Sequence, residues 1–233
     1  MVPILVILTF ACFILIEIAL EHRARKKAEV SVRQRSESAA MSIPPRVSPA
    51  SWGYALPGGV FLHPGHTWAH LELTGEARVG IDDFIRMIMG KVDGVLLPRK
   101  GSSVQQGGKL LTLVKGKRQM DVASPLDGVV QVVNDYVALS PERITRDPYQ
   151  AGWILEIRPT KLLKNIRRLR VGAEASQWFE KELERFSEFI DRNMERPAEV
   201  GVTARDGGLY LTGIVEEMDD ALFEKLTRTF FMV

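Results

Sequence analysis

One short segment of the chain contains three basic residues and has the sequence pattern of a β-hairpin tip. The predicted tip consists of four residues, Lys115, Gly116, Lys117 and Arg118. They lie between two β-type runs, 110–114 and 119–123, and a glycine between such runs favours a tight turn. A lysine on an exposed turn can attack an activated acyl group through its ε-amine. The alternative is that Lys115 and Gly116 form the turn and Lys117 is an ordinary solvated side chain.

The elements that would position this tip are short strands. Apolar runs separated by glycine and proline turns fill the chain from Phe61 to Ile157. We predict strands at 68–73, 77–81, 92–97, 110–114, 119–123, 128–133 and 153–157. Many short strands joined by such turns are typical of a small barrel or sandwich. We therefore predict a mainly β domain over residues 60–160.

Two other groups of polar residues have the appearance of sites. Asp82 and Asp83 lie at the start of a predicted short helix that ends at Gly90. Adjacent residues on a helix do not face each other, so the two carboxylates are not expected to act as a catalytic pair. We expect them to cap the helix. Three histidines, His63, His66 and His70, are spaced at intervals of three and four residues but have no cysteine partner. We expect structural roles for them and predict no metal site.

The part of the chain after residue 160 changes character. We interpret residues 161–233 as a small α+β appendix of the helix-hairpin-helix type. Helical periodicity predicts a helix over 173–194. Two strands, 200–204 and 209–215, are predicted on either side of a turn at Arg205-Asp206-Gly207-Gly208. A final helix follows, capped by Asp219 or Asp220. The basic and apolar run 161–170 is expected to be a helix that covers the barrel or, alternatively, lies on a membrane surface.

An apolar run near the N-terminus has the length of a membrane span. Val2–Leu20 is almost wholly apolar, and about 20 such residues cross a bilayer core. Basic residues at 23–27 follow, which by the positive-inside rule places the N-terminus outside and the remainder in the cytoplasm. We predict a single-pass anchor in the cytoplasmic membrane (1–22) and a basic, Pro/Ser-rich tether (23–59). A cleavable signal peptide is the alternative.

Composition excludes several classes of function. A net charge of +2 gives no broad signal for nucleic acid, which is therefore not an expected partner. The single cysteine, Cys12, excludes an internal disulfide and a cysteine-based zinc site. The chain has no phosphate-binding loop and no pattern of nucleophile and base. We expect a protein that is not itself an enzyme.

A set of ordered motifs resembles the glycine cleavage system H protein, a member of the lipoyl/biotinyl carrier group. The matching segments, in chain order, are His66–Trp68, Val79–Phe84, Leu97–Gly101, Ser124–Val130 and Asp147–Trp153. The resemblance covers the middle of the chain and leaves both ends unexplained. It implies a barrel-sandwich fold of the lipoyl/biotinyl type, with the anchor and the appendix as additions.

The resemblance also implies a cofactor and its position. In that family, a lysine seven residues before the serine of a Ser-Pro pair carries lipoate. Counting back from Ser124 gives Lys117 as the candidate attachment residue. The chain departs from the family at this turn: Val114 replaces an acidic residue three positions before the lysine, and the turn has three basic residues. Such a change of charge bears on recognition by a lipoylating enzyme.

Two main hypotheses for the function follow. In the first, a membrane-anchored carrier with lipoate on Lys117 shuttles reducing equivalents or a one-carbon unit to a membrane-associated oxidoreductase or a glycine-cleavage-like complex. In the second, the domain is not lipoylated and serves as a scaffold that binds a membrane-associated redox complex. A weaker third hypothesis is a component of an otherwise soluble glycine cleavage system that happens to be tethered.

Overall fold

The structure is a computed structural model that describes Tyr54, residues 56–194 and residues 212–231. The predicted anchor, most of the predicted tether and most of the predicted C-terminal hairpin lie outside these residues. Within them, no helix combines the length and the apolar character needed to cross a bilayer.

Two antiparallel sheets make up most of the regular structure of residues 60–160. The strands are β1 Val60–His63, β2 Thr67–Leu71, β3 Ala77–Ile81, β4 Gly94–Leu96, β5 Ser103–Val104, β6 Lys109–Lys115, β7 Arg118–Ala123, β8 Gly128–Val133 and β9 Leu155–Pro159. The larger sheet has the order β1-β2-β3-β9-β8-β5, and the smaller sheet has the order β4-β6-β7. The mainly β fold predicted from the sequence is confirmed.

The helices surround these sheets. They are α1 Asp83–Met89, α2 Asp135–Leu139, α3 Glu142–Arg146, α4 Leu162–Ile166, α5 Gly172–Asn193, a 3-10 turn Ile214–Glu216 and α6 Asp220–Phe230. The Asp82 carboxylate caps α1 by accepting from Phe84 N and Ile85 N, and Gly90 ends the helix. Asp219 caps α6 by accepting from Leu222 N. Both capping predictions are confirmed.

The motifs that carry the family resemblance meet in the core. The Trp68 ring is fully buried, and its Nε1 donates to Pro148 O at 3.2 Å. The hydroxyl of Tyr149, next in the chain, accepts from Asp83 N at 3.2 Å. Gly80 lies against the Trp68 ring so closely that a Cβ there would be 2.7 Å from it. The spacing of these motifs in the sequence therefore reflects direct packing between them.

The C-terminal helices share this core. Phe84 of α1 packs edge-on against Phe186 of α5 at 5.3 Å and contacts Phe230 of α6 at 5.4 Å between ring centroids. Tyr54 lies in the predicted tether, but it is buried, with its ring 4.5 Å from that of Phe179. The packed unit thus extends beyond the barrel on both sides.

Two predictions about secondary structure after residue 160 are wrong. The run 161–170 is not one helix: α4 ends at Ile166, and Arg170 pairs with Leu62 through reciprocal backbone hydrogen bonds of 2.7 and 2.9 Å. The prediction of a strand at 209–215 is also wrong for the residues of that range that the structure describes. Gly213 is left-handed (φ 78°) and donates to Met87 O at 2.8 Å, so residues 214–216 turn into a 3-10 helix. In both places, contact with the barrel overrides a local pattern.

Candidate functional site

The two runs that flank the basic tip do pair, and they bring the chain to a tight two-residue turn. Strands β6 and β7 end on the pair Lys115 and Arg118, which leaves Gly116 and Lys117 as the loop. Gly116 has φ 57°, whereas Lys117 does not have a positive φ. A left-handed glycine at the first loop position is the requirement of a type II′ hairpin turn. The Asp93 carboxylate accepts from Gly116 N at 2.7 Å and fixes the turn from the side.

Lys117 is exposed at the apex of this turn. Among the residues that the structure describes, no hydrogen bond or ion pair involves its amine. A Cβ on the adjacent Gly116 would meet no heavy atom within 4 Å, so this side of the turn faces open space. The amine is therefore accessible to another molecule.

Lys115, by contrast, is held within the chain. Its Nζ donates to Met89 O and Lys91 O, both at 2.7 Å, and lies 2.6 Å from the Glu216 carboxylate. Only 11% of its side chain is exposed. An ammonium group has three N–H donors, and these three partners match them. Lys115 is thus a structural cation that joins the end of α1 to the C-terminal segment.

Arg118 has a similar role on the other side of the turn. Its guanidinium donates to Val215 O and Met218 O and lies 3.4 Å from the Asp220 carboxylate. It is also positioned over the Phe223 ring, 5.3 Å from the centroid. Of the three basic residues at the tip, Lys117 is the one that is left exposed and unpaired in the described part of the chain.

These contacts form one wall of a cleft beside Lys117 with a volume of about 470 Å³. The lining includes Asp93 from the β4 side, and Val215, Glu216 and Asp220 from the C-terminal segment. These residues are not among those that the sequence patterns place at the tip. No local signal could have found them, because about 100 residues separate Lys117 from Glu216 along the chain and carboxylates at a helix start are common on any surface.

A second polar cluster is buried beneath the barrel surface. His66 Nδ1 is 3.0 Å from the Asp82 carboxylate, and its Nε2 is 3.8 Å from Glu182 of α5, a separation that suits an ion pair but exceeds a hydrogen bond. Glu182 also accepts from Arg185 at 2.7 Å. His66 stacks on the Phe84 ring at 3.9 Å and has φ 60°, unusual for a residue other than glycine.

The protonation of this cluster follows from its surroundings. Burial alone lowers the pKa of His66, but the charge and hydrogen bond of Asp82, with Glu182, outweigh burial and raise that pKa above its ordinary value. Burial raises the pKa of Glu182, whereas His66 and Arg185 lower it, and the net shift is downward. Two carboxylates therefore favour the imidazolium form of His66, and the cluster joins the barrel to helix α5.

The other two histidines have separate environments. His63 is buried, and burial together with the charges of His66, Arg170 and Arg168 lowers its pKa to about 4. Its neutral Nδ1 accepts from Gly65 N at 3.0 Å. His70 contacts Gly59 O at 3.3 Å. Within residues 54, 56–194 and 212–231, no group of His, Cys, Asp and Glu side chains has the arrangement of a metal site.

Fold and tip together define a carrier-type domain: two antiparallel sheets that present, on a tight turn, a lysine amine without a partner among the described residues. Comparison with known proteins identifies the family. The sequence model described as "Glycine cleavage H-protein" matches residues 61–182. The chain is 36% identical over 107 residues to the glycine cleavage system H protein of Hydrogenovibrio crunogenus, which covers 46% of this chain and 83% of that protein.

Two further proteins are similar to this chain. The probable glycine cleavage system H protein of Pyrococcus furiosus is 34% identical over 116 residues, covering 50% of this chain and 86% of that protein. The crystal structure of a glycine cleavage system H protein from Mycobacterium marinum aligns at a TM-score of 0.46 and 27% identity, covering 55% of this chain and 98% of that structure. The chain belongs to the glycine cleavage H-protein family, whose members are lipoyl carriers that bear lipoate on a lysine.

Proposed function

We propose that this protein is a lipoyl carrier and that Lys117 is its attachment residue. The observation that supports the proposal best is the contrast at the hairpin tip. Lys115 and Arg118 are bound to other parts of the chain, whereas the Lys117 amine is exposed, unpaired within the described residues and next to an open cleft. One position at the tip therefore meets the chemical requirement for acylation, and it is the position that the family resemblance indicates.

The residues around the turn suit this role. Lys117 Nζ would hold lipoate through an amide bond, and lipoate, when bound, supplies a disulfide that can be reduced and reoxidised or can carry a group. Gly116 allows the turn, and Asp93 fixes it through the hydrogen bond to Gly116 N. Lys115 and Arg118 hold the ends of both strands on the body of the protein. The chain thus positions the lysine firmly and leaves motion to the attached arm.

We further propose that the carrier works at the cytoplasmic face of the membrane. The support is the apolar run Val2–Leu20, followed by basic residues and a segment rich in proline and serine. An anchor would restrict the arm to partners close to the bilayer. The partner would then be a membrane-associated oxidoreductase or a glycine-cleavage-like complex, which receives reducing equivalents or a one-carbon unit.

Mass spectrometry of the protein purified from its native host tests the attachment. We expect one lipoyl group per chain, located on Lys117 by peptide mapping. Lys117→Arg keeps the charge but removes the amine that can be acylated. The measured mass of this variant should therefore equal the mass of its polypeptide without lipoate. Lys100→Arg is the matched control, because Lys100 is also an exposed lysine on a turn, and it should leave lipoylation unchanged. An unmodified wild-type chain would contradict the proposal.

A non-lipoylated scaffold is the second candidate, and one observation favours it. The tip contacts the protein's own C-terminal segment through Lys115 and Arg118, so the basic residues of the turn have a structural use that does not depend on lipoate. A scaffold would keep its function in the host after Lys117→Arg and lose it after removal of residues 161–233. A carrier would lose its function after the single substitution.

A further inference from the structure

The segment Ile214–Asp220, here called the flanking segment, is built into the protein beside the hairpin tip. Three of its apolar side chains, Ile214, Val215 and Met218, are buried. Just before it, Gly213 approaches Gly90 so closely that a Cβ on Gly90 would be 2.9 Å from Gly213 Cα. Side-chain burial and close backbone contact fix the position of this segment relative to Lys117.

The flanking segment also changes the charge of the tip. Glu216 is 2.6 Å from Lys115, and Asp220 is 3.4 Å from Arg118, so each carboxylate offsets one of the basic residues of the turn. Both carboxylates nevertheless face solvent, because 67% of the Glu216 side chain and 98% of the Asp220 side chain are exposed. With Lys117 they line the same cleft. A molecule that approaches the Lys117 amine therefore meets two acidic groups next to it.

We propose that Glu216 and Asp220 belong to the surface by which a lipoyl-transferring enzyme recognises Lys117. This inference rests on the proposed function. The segment lies beyond the residues that match the family, 61–182, and the local sequence has Val114 rather than a carboxylate before the lysine. The acidic groups come instead from a part of the chain that is distant in sequence. The partner that fits is an enzyme with cationic or N–H groups around its active-site entrance.

The two carboxylates are positioning residues for this reaction. In the acyl transfer, Lys117 Nζ attacks the carbonyl carbon of a lipoyl adenylate, the amide C–N bond forms and the bond to the phosphate oxygen breaks. AMP leaves, and the amine proton passes to solvent. Glu216 and Asp220 do not contact the reacting atoms. They increase the rate of productive encounter by complementary charge, so their effect appears in kcat/KM and weakens with added salt.

The test is the rate of lipoylation of the full-length chain in mild detergent. The unmodified protein is incubated with lipoate, ATP and the lipoate–protein ligase of its host, and intact mass is recorded over time. Removal of two charges beside the reacting group should lower kcat/KM for the double variant Glu216→Gln/Asp220→Asn by roughly five- to tenfold at low salt. The wild-type rate should fall with salt towards that of the variant. Glu217→Gln is the matched control: Glu217 is exposed and adjacent, but it does not line the cleft.

The outcomes separate the two proposals. If the wild type and the double variant are acylated at equal rates, the recognition surface is refuted and the lipoyl carrier is not. Faster acylation of the double variant also refutes it, since the segment would then shield the amine. An equal loss of rate in Glu217→Gln would show a general charge effect and overturn the specific assignment. A wild type that is never acylated overturns both proposals. Tryptophan fluorescence of each variant checks that the fold is intact.

Discussion

The buried cluster of His66, Asp82 and Glu182 predicts a pH-dependent contribution to stability. We consider Glu182→Gln, which keeps the shape of the side chain but removes its charge. The His66 side chain is fully buried and that of Glu182 is 8% exposed, so solvent screens their interaction weakly. Hydrogen bonds to charged groups contribute roughly 1.5–3 kcal/mol, and breaking a buried ion pair costs roughly 3–5 kcal/mol. The Asp82 carboxylate still compensates the imidazolium in the variant, so we expect a loss of about 2 kcal/mol near pH 6.

The direction of the pH dependence follows from the two pKa shifts. The pKa of His66 is raised in the folded protein, so its stabilisation is fully present below the ordinary value of 6.5 and is lost as pH rises through the folded value. The pKa of Glu182 is lowered, so its stabilisation is present above the ordinary value of 4.5 and is lost in acid. Both contributions coexist between these two pH values. The cost of Glu182→Gln should therefore be largest there and shrink as pH rises through the folded pKa of His66, above which only the bond to Arg185 is missing.

Urea unfolding of the full-length chain in mild detergent, followed by tryptophan fluorescence, measures this cost. The Trp178 ring lies 5.3 Å from the His66 ring and reports on the cluster. Glu184→Gln is the matched control, because Glu184 is on the same helix but exposed, and it should change the free energy of unfolding by less than about 0.5 kcal/mol at pH 6. A cost for Glu182→Gln that is absent at pH 6 would refute the charged interaction between His66 and Glu182.

Two further predictions concern backbone positions that only glycine suits. Gly116→Ala places a Cβ on a residue with φ 57°, and the left-handed strain should cost about 1–2 kcal/mol of unfolding free energy. Gly80→Ala places a Cβ 2.7 Å from the Trp68 ring, and overpacking should cost about 1–3 kcal/mol and perturb near-ultraviolet circular dichroism. Gly94→Ala is the control for both, since it lacks a positive φ and its Cβ would be 3.6 Å from Val114. A control as destabilised as either variant would contradict the explanation for that variant.

Local patterns were sufficient for much of the fold. Residues 77–81 and 128–133 are predicted as strands at their observed bounds, because short runs of β-branched and other apolar residues between turn-forming residues specify strands. The cap at Asp82 and the stop at Gly90 follow from side-chain and backbone chemistry within a few residues. The prediction failed for 161–170 and for residues 214–215. In the first segment, Arg170 pairs with the backbone of Leu62 instead of continuing a helix. In the second, Gly213 donates to Met87 O and the chain turns instead of continuing a strand.

The sequence by itself identified the family and indicated Lys117 as the candidate attachment residue. Motif order depends on residues that must pack against one another, and the hairpin register depends on a single turn. Only the tertiary structure decided the electrostatic character of that lysine. Charges interact according to distance in space and not along the chain, so Glu216 and Asp220 offset Lys115 and Arg118 across about 100 residues of sequence. The tip that reads as strongly basic in the sequence is, in the folded protein, one exposed amine beside two carboxylates.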